Sequence, residues 1–112
     1  MNIFYTPEAQ ADLSLIRYAL DMRWENEKLT TKVLRNITDA ARSLGTFPNM
    51  GIKLSEITGI PTEYKRFFCE HNYIFYRVGT DGVYIVRILN EKEDFIRALF
   101  GRVVSEDEGE TE

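Results

Sequence analysis

Cationic and aromatic side chains alternate through the second half of this chain, in the runs "YKRFFCE" (64–70), "YIFYRV" (73–78) and "VYIVRIL" (83–89). Arginine offers paired donors to phosphate or carboxylate, and aromatic rings offer faces for stacking. A following acidic and basic stretch could add proton transfer. The candidates for phosphate contact and proton transfer are Lys65, Arg66, Arg77, Arg87, Glu91 and Lys92. The candidates for binding a partner are Arg66, Tyr73, Arg77, Tyr84, Arg87, Asn90 and Lys92.

These residue types leave three interpretations open. They suit contact with phosphate or nucleic acid, they suit a protein partner because Arg and Tyr are common at interface hot spots, or they form cross-strand pairs that only stabilise a sheet. The sequence has no His and Cys pair, no GxSxG motif, no phosphate loop and no cluster of metal ligands, so we expect neither metal nor cofactor. The single His71 falls in a predicted turn, and acids such as Glu93 suit a helix N-terminus.

Length and composition indicate one globular domain. The chain has 112 residues, of which 44% are hydrophobic, and no window resembles a membrane span or a signal peptide. The one cysteine, Cys69, has no partner for an intramolecular disulfide, which fits a reducing compartment. We therefore expect a cytoplasmic protein without membrane contact.

The net charge of -4 comes mainly from the C-terminus. Five of the 18 acids are concentrated there: Glu106, Asp107, Glu108, Glu110 and Glu112. All 14 Lys and Arg precede residue 103, which leaves residues 1–102 close to neutral. We expect a domain over 1–102 and an acidic, disordered tail over 103–112, with a tail that folds back onto a basic face as the alternative.

The first half predicts a strand followed by two helices. "NIFY" (2–5) is a short apolar strand that ends at Thr6-Pro7, where a helix begins and continues to Trp24. Asn26 is a suitable cap for a second helix, which ends at Gly45. The short connection makes the helices an antiparallel hairpin, and we expect their apolar stripes, Trp24 included, to lie in the core.

The second half predicts three antiparallel strands after a loop over 51–63, and then a short helix over 93–100. The fold class is therefore α+β, a two-layer fold of β-α-α-β-β-β-α order. The helical hairpin covers one face of an antiparallel sheet, and the other face remains open.

A two-residue turn at Thr80-Asp81 places Arg77 opposite Tyr84 and Phe75 opposite Val86. The predicted open face then contains Tyr73, Phe75, Arg77, Tyr84, Val86, Ile88 and Asn90. The same alternation assigns Arg87 and Leu89 to the helix-covered face, where a charged side chain is unexpected.

Four segments in this order resemble the RelE/ParE superfamily of toxins from bacterial type II toxin-antitoxin modules. They are "YTPEAQADL", "FPNMG", "YIFYRV" and "VYIVRILNEKEDF", and together they extend from residue 3 to about 100. The resemblance implies that "GTFPNMG" (45–51) is the hinge between hairpin and sheet, in which Gly45 ends the helix, Phe47 plugs the core and Pro48-Asn49 makes the turn.

The two branches of this superfamily differ in what they do. RelE-like members cut messenger RNA on the ribosome, whereas ParE-like members bind and poison DNA gyrase without cutting. Tyr73 stands where RNA cutters commonly carry a basic residue, and Asn90 stands where many relatives in both branches carry a histidine. Phe95 or Ala98 stands where a terminal-helix Tyr is wanted. These departures favour a ParE-like toxin.

The resemblance thus implies a growth-inhibiting, plasmid-stabilising toxin that acts on gyrase and is neutralised by a cognate antitoxin wrapped around the hairpin and the open sheet. Two alternatives remain: a ribosome-dependent messenger RNA endonuclease, and a degenerate module that only interacts with partners.

Overall fold

The computed structural model describes residues 1–101 as nine elements. The helices are α1 (Pro7–Trp24), α2 (Glu27–Thr46), α3 (Leu54–Thr58) and α4 (Phe95–Phe100). The strands are β1 (Asn2–Tyr5), β2 (Ile52–Lys53), β3 (Lys65–Cys69), β4 (Asn72–Val78) and β5 (Gly82–Asn90). The predicted tail over 103–112 lies outside the described residues.

The two long helices begin where the sequence predicts, because side-chain caps fix their first turns. The Thr6 hydroxyl accepts a hydrogen bond from the Ala9 amide at 3.1 Å, and the Asn26 side chain accepts one from the Leu29 amide at 3.2 Å. The prediction that Trp24 lies in the core is wrong. Its side chain is 38% exposed at the last residue of α1.

The sheet has five strands in the order β1-β5-β4-β3-β2, and the helical hairpin packs on one face. This confirms the predicted α+β two-layer fold. The outermost strand β1 pairs parallel to β5, while the other pairs are antiparallel. Two elements, β2 and α3, occupy the stretch that was predicted to be a loop, because Lys53 and Ile52 pair with the start of β3.

The main hydrophobic core lies between the hairpin and the sheet. Its fully buried members come from α1, α2, β4 and β5: Ala9, Ile37, Ala41, Leu44, Ile74, Tyr76, Val83 and Ile85. Burying each Val, Leu or Ile side chain of this set contributes roughly 1.5–3 kcal/mol, which fixes the hairpin on the sheet. Among the described residues, no helix is long and apolar enough to cross a membrane.

A β-bulge on β5 overturns part of the predicted register. Arg77 pairs with Tyr84, as predicted, but Phe75 pairs with Arg87 instead of Val86. The extra residue reverses the alternation beyond it, so Ile88 joins the main core and Leu89 points to the other face. A bulge of one residue is enough to exchange the two faces of a strand.

The hinge "GTFPNMG" has the implied turn at Pro48-Asn49, where the Met50 amide donates to the Phe47 carbonyl at 3.1 Å, but it differs from what the resemblance implied at Gly45 and Phe47. Gly45 continues α2 and is buried, and a Cβ there would lie 2.7 Å from the Met1 carbonyl oxygen. Phe47 is exposed and does not plug the core. The buried ring of Tyr76 lies in the core instead. Its hydroxyl holds the hinge in place, because it donates to the Pro48 carbonyl at 2.8 Å and accepts from the Gly51 amide at 2.9 Å.

The sheet face opposite the hairpin, which we call the distal face, is only partly open. A second core of Leu54, Phe75 and Leu89 lies on it under α3 and α4. The Phe95 ring of α4 stacks on Phe75 with centroids 5.4 Å apart. The expectation of a bare face is therefore wrong, because the short C-terminal helix carries its own apolar side and buries it here.

Candidate functional site

The exposed remainder of the distal face surrounds the second core and carries two arginines. Arg66 on β3 pairs with Phe75, so its side chain shares the face of that residue. Arg77 lies two residues after Phe75 on β4 and therefore points to the same side. Cross-strand diagonal neighbours of this kind are about 7–8 Å apart at their Cα atoms. We refer to Arg66 and Arg77 as the arginine pair.

Aromatic rings hold the Arg66 guanidinium in place. Its central carbon lies 4.0 Å from the centroid of the Tyr73 ring and 5.2 Å from that of Phe95. The Nε atom is buried and has no hydrogen-bond partner among the described residues. A planar cation stacked in this way keeps its remaining N–H groups available for a carboxylate or phosphate.

Arg77 has a similar arrangement at the other end of the face. Its guanidinium carbon lies 4.2 Å from the centroid of the Tyr84 ring, which stacks on Phe4 at 4.9 Å. The Tyr84 hydroxyl donates to the Asp81 carboxylate at 2.8 Å. This hydrogen bond raises the pKa of Tyr84 above its ordinary value, so the phenol stays neutral near pH 7.

Arg87 has a different environment from the arginine pair. Its Nε and Nη2 atoms donate to Asp12 of α1 at 2.7 and 2.9 Å, and the Asp12 carboxylate also accepts from the Ile88 amide at 2.9 Å. The hydrogen bonds that Arg87 donates to Asp12 raise the pKa of Arg87. This ion pair ties α1 to the edge of β5 beyond the point where β1 ends.

The remaining residues that the sequence proposed for the site lie in two other parts of the structure. Lys65 pairs with Tyr76 and so belongs to the hairpin side, away from Arg66. Glu91 lies beside the β3–β4 turn, with its Oε2 atom 2.9 Å from Nδ1 of His71. The Asn90 side chain accepts from the Lys92 backbone amide at 2.9 Å, which closes the turn into α4.

The structure therefore brings together Arg66, Tyr73, Arg77 and Tyr84 on the distal face. Two residues that matter to the site were not proposed from the sequence. Phe95 supplies the second ring beneath Arg66, and Asp12 neutralises Arg87. A signal existed for Asp12, because an arginine predicted on a helix-covered face requires a buried carboxylate nearby.

Comparison with family models identifies the family of this chain. A family model described as "ParE toxin of type II toxin-antitoxin system, parDE" matches residues 3–95. Nine chains of solved structures match significantly. One of them, described as "Chromosomal ParDE TA system from P. aeruginosa", has a TM-score of 0.67 and 23% sequence identity. That match covers 80% of this chain and 95% of the other chain. No curated protein matches the sequence significantly.

Proposed function

Because this chain belongs to the ParE toxin family of type II toxin-antitoxin systems, we propose that it inhibits bacterial growth by binding DNA gyrase in the cytoplasm. The observation that supports binding is the arginine pair, whose guanidinium groups stack on Tyr73, Phe95 and Tyr84. Stacked arginines with exposed rings are typical of interface hot spots. In this proposal they contact an acidic surface of the target.

The distal face suits a macromolecular target better than a small substrate. Its exposed rings, Phe4 and Phe68, lie on either side of the arginine pair along the sheet. Phe68 contacts the Tyr73 ring edge to face at 5.2 Å, which continues the aromatic surface to the β3–β4 turn. An extended surface of this kind offers both apolar area to bury and arginine N–H groups that can hydrogen-bond a partner.

The direct test is induced expression of the chain without antitoxin, together with a supercoiling assay on purified gyrase. We expect filamentous cells, DNA breaks and loss of supercoiling activity. Arg66→Ala should weaken gyrase inhibition about tenfold or more, as for a hot-spot arginine. Arg35→Ala is the matched control, since this exposed arginine lies on α2, on the opposite side of the sheet.

Two results would contradict the gyrase proposal. One is full gyrase activity in the presence of the purified chain while translation stops and messenger RNA is cleaved. The other is normal growth on induction, which would identify a degenerate module. Circular dichroism of Arg66→Ala should show the wild-type fold, because otherwise its loss of activity would report unfolding instead of lost binding.

The antitoxin is expected to cover part of the hairpin. The outer side of α1 exposes Leu15, Tyr18 and Met22 by 66, 64 and 65%, and their spacing places them on one stripe. Such an apolar stripe suits an amphipathic helix of a partner. We expect Tyr18→Asp to reduce antitoxin affinity more than tenfold and to leave gyrase inhibition intact, as measured by calorimetry and the supercoiling assay.

A ribosome-dependent messenger RNA endonuclease is the second candidate, and one observation favours it. The His71 imidazole is oriented by Glu91 at 2.9 Å and contacts the Phe68 ring edge to face at 6.2 Å. This places a histidine on the same aromatic surface that carries Arg66. A histidine positioned by a carboxylate could move protons while arginine stabilises phosphate charge.

His71→Ala separates the two candidates. A gyrase poison should lose at most a small part of its activity, because His71 is exposed at the end of the surface. An endonuclease that uses this imidazole should lose about 100-fold or more in cleavage rate.

A further inference from the structure

We propose that the acidic C-terminal segment, residues 103–112, binds the arginine pair of the same chain and competes there with acidic partners. The segment has five carboxylates and no Lys or Arg. Attraction between opposite charges on one chain needs only that the segment can reach the arginines and that the arginines are not already neutralised.

The arginine pair is not neutralised within residues 1–101. The ion pairs of that part of the chain involve Arg42, His71 and Arg87, and neither Arg66 nor Arg77 takes part in one. Rings hold both guanidinium groups in place, so their N–H groups are oriented without a carboxylate. An incoming carboxylate would therefore not have to break an ion pair of either arginine within residues 1–101.

The chain leaves α4 on the distal face, close to these arginines. Phe100, the last residue of α4, stacks on Tyr64 with centroids 6.0 Å apart. Tyr64 directly precedes Lys65, which pairs with Tyr76, the neighbour of Arg77 in β4. Helix α4 therefore ends beside the row of residues that contains the arginine pair.

The segment is long enough to carry its acids well beyond the end of α4. Glu106 follows Gly101 by five residues, which can extend over about 17 Å. A tether of this length keeps the carboxylates at an effective concentration in the millimolar range. Even a weak attraction is then enough for the segment to occupy the arginine pair for a substantial fraction of the time at low salt.

A competing basic surface exists on the hairpin. Lys28, Lys32 and Arg35 line a shallow groove on α2, together with Glu27. This groove lies on the other side of the sheet from the end of α4, so the segment would have to pass around a sheet edge. The distal face lies on the same side of the sheet as α4. The acid beside Arg77, Asp81, accepts a hydrogen bond from Tyr84 and forms no ion pair with Arg77 within residues 1–101.

Paramagnetic relaxation in full-length protein tests this contact directly. A spin label at T111C, in a C69S background, should broaden the amide signals of Ile52 and Tyr84 more than those of Lys28 and Arg35. The effect should disappear at about 0.5 M salt, where charge screening acts within a few ångströms. It should also disappear when the five acids are replaced together, as E106Q, D107N, E108Q, E110Q and E112Q.

A second measurement uses a synthetic peptide of residues 103–112. The peptide should bind the five-fold neutralised variant about 3–10 times more tightly than wild type, because the wild-type segment competes for the same arginines. The Nε–Hε signals of Arg66 and Arg77 should shift on titration. Equal affinity for both proteins, broadening centred on α2, or no salt-dependent broadening would each overturn the proposal.

Discussion

Removing the Asp12 carboxylate should destabilise the fold strongly, although Asp12 is a charged residue on a helix. Its oxygens accept from Arg87 at 2.7 and 2.9 Å and from the Ile88 amide at 2.9 Å. Asp12 is only 6% exposed, whereas the Arg87 side chain is 28% exposed. The carboxylate thus joins α1 to the edge of β5 beyond Ile85, the last residue that pairs with β1.

The magnitude for Asp12→Ala follows from the groups that are left behind. The Ile88 amide loses its acceptor in a buried position, which costs about 1–3 kcal/mol. The Arg87 guanidinium also loses its partner, but water can reach it, so we assign about 1 kcal/mol instead of the 3–5 of a fully buried pair. The expected loss is about 2–4 kcal/mol, a large share of the stability of a small domain.

Urea unfolding followed by circular dichroism measures this loss. Asp12→Asn should cost less, about 1–2 kcal/mol, because the amide oxygen can still accept from Ile88. The matched control is Asp39→Ala, which breaks the Asp39–Arg42 pair on α2. That pair is of similar length, but its side chains are 52 and 73% exposed, so its removal should cost at most about 0.5 kcal/mol.

If Asp12→Ala lowers the free energy of unfolding by less than about 0.5 kcal/mol, as the control does, Asp12 does not join α1 to β5 in the way we infer. That result would mean that Arg87 is not needed to join helix and sheet and is available for a partner. A loss in the expected range together with wild-type gyrase inhibition by Asp12→Asn would make Arg87 a positioning residue of the fold.

Three further changes test other parts of the structure by the same unfolding assay. Tyr76→Phe should cost about 1–3 kcal/mol, because the Gly51 amide loses its acceptor. Burial raises the pKa of Tyr76, so the folded state retains this proton longer. Wild type should therefore lose stability as pH rises above about 10, and Tyr76→Phe should lose less over the same range; parallel pH curves would contradict this. His71→Gly should stabilise the protein by about 0.5–1 kcal/mol, since His71 has a φ of 63° that glycine adopts without strain; a loss would show that its contact with Glu91 matters more. Thr30→Val should be neutral or stabilising, because the buried Thr30 hydroxyl lacks a partner in the described part of the chain; a loss above about 1 kcal/mol would indicate a bound water.

Local chemistry made much of the fold predictable from the sequence. The caps Thr6 and Asn26 set the starts of both helices, and the β-branched and aromatic runs gave the positions of the three long strands. These signals act between residues that are close along the chain, so they survive without tertiary information. The weak run Ile52–Lys53 was missed, because a two-residue edge strand exists only through its pairing with β3.

The site was predicted less well, because it depends on register and packing. Tyr73, Arg77 and Tyr84 were correctly placed on one face by alternation, as far as the bulge, whereas Arg66 was not assigned to a face and joins them through the pairing of β3 with β4. Beyond it the prediction for Ile88 was reversed, since one extra residue exchanges the faces of a strand. No pattern within β5 marks where such a residue is inserted.

The amino-acid sequence by itself determined the helical hairpin, the three long strands and a surplus of arginines and rings in the second half, because capping, periodicity and composition are local. Tertiary structure alone decided which arginine is ion-paired and which are stacked on aromatic rings. The bulge and Asp12 tie Arg87 to α1, and α4 brings Phe95 under Arg66. Whether an arginine is neutralised or available depends on contacts between residues up to 75 positions apart, and sequence spacing does not encode such distances.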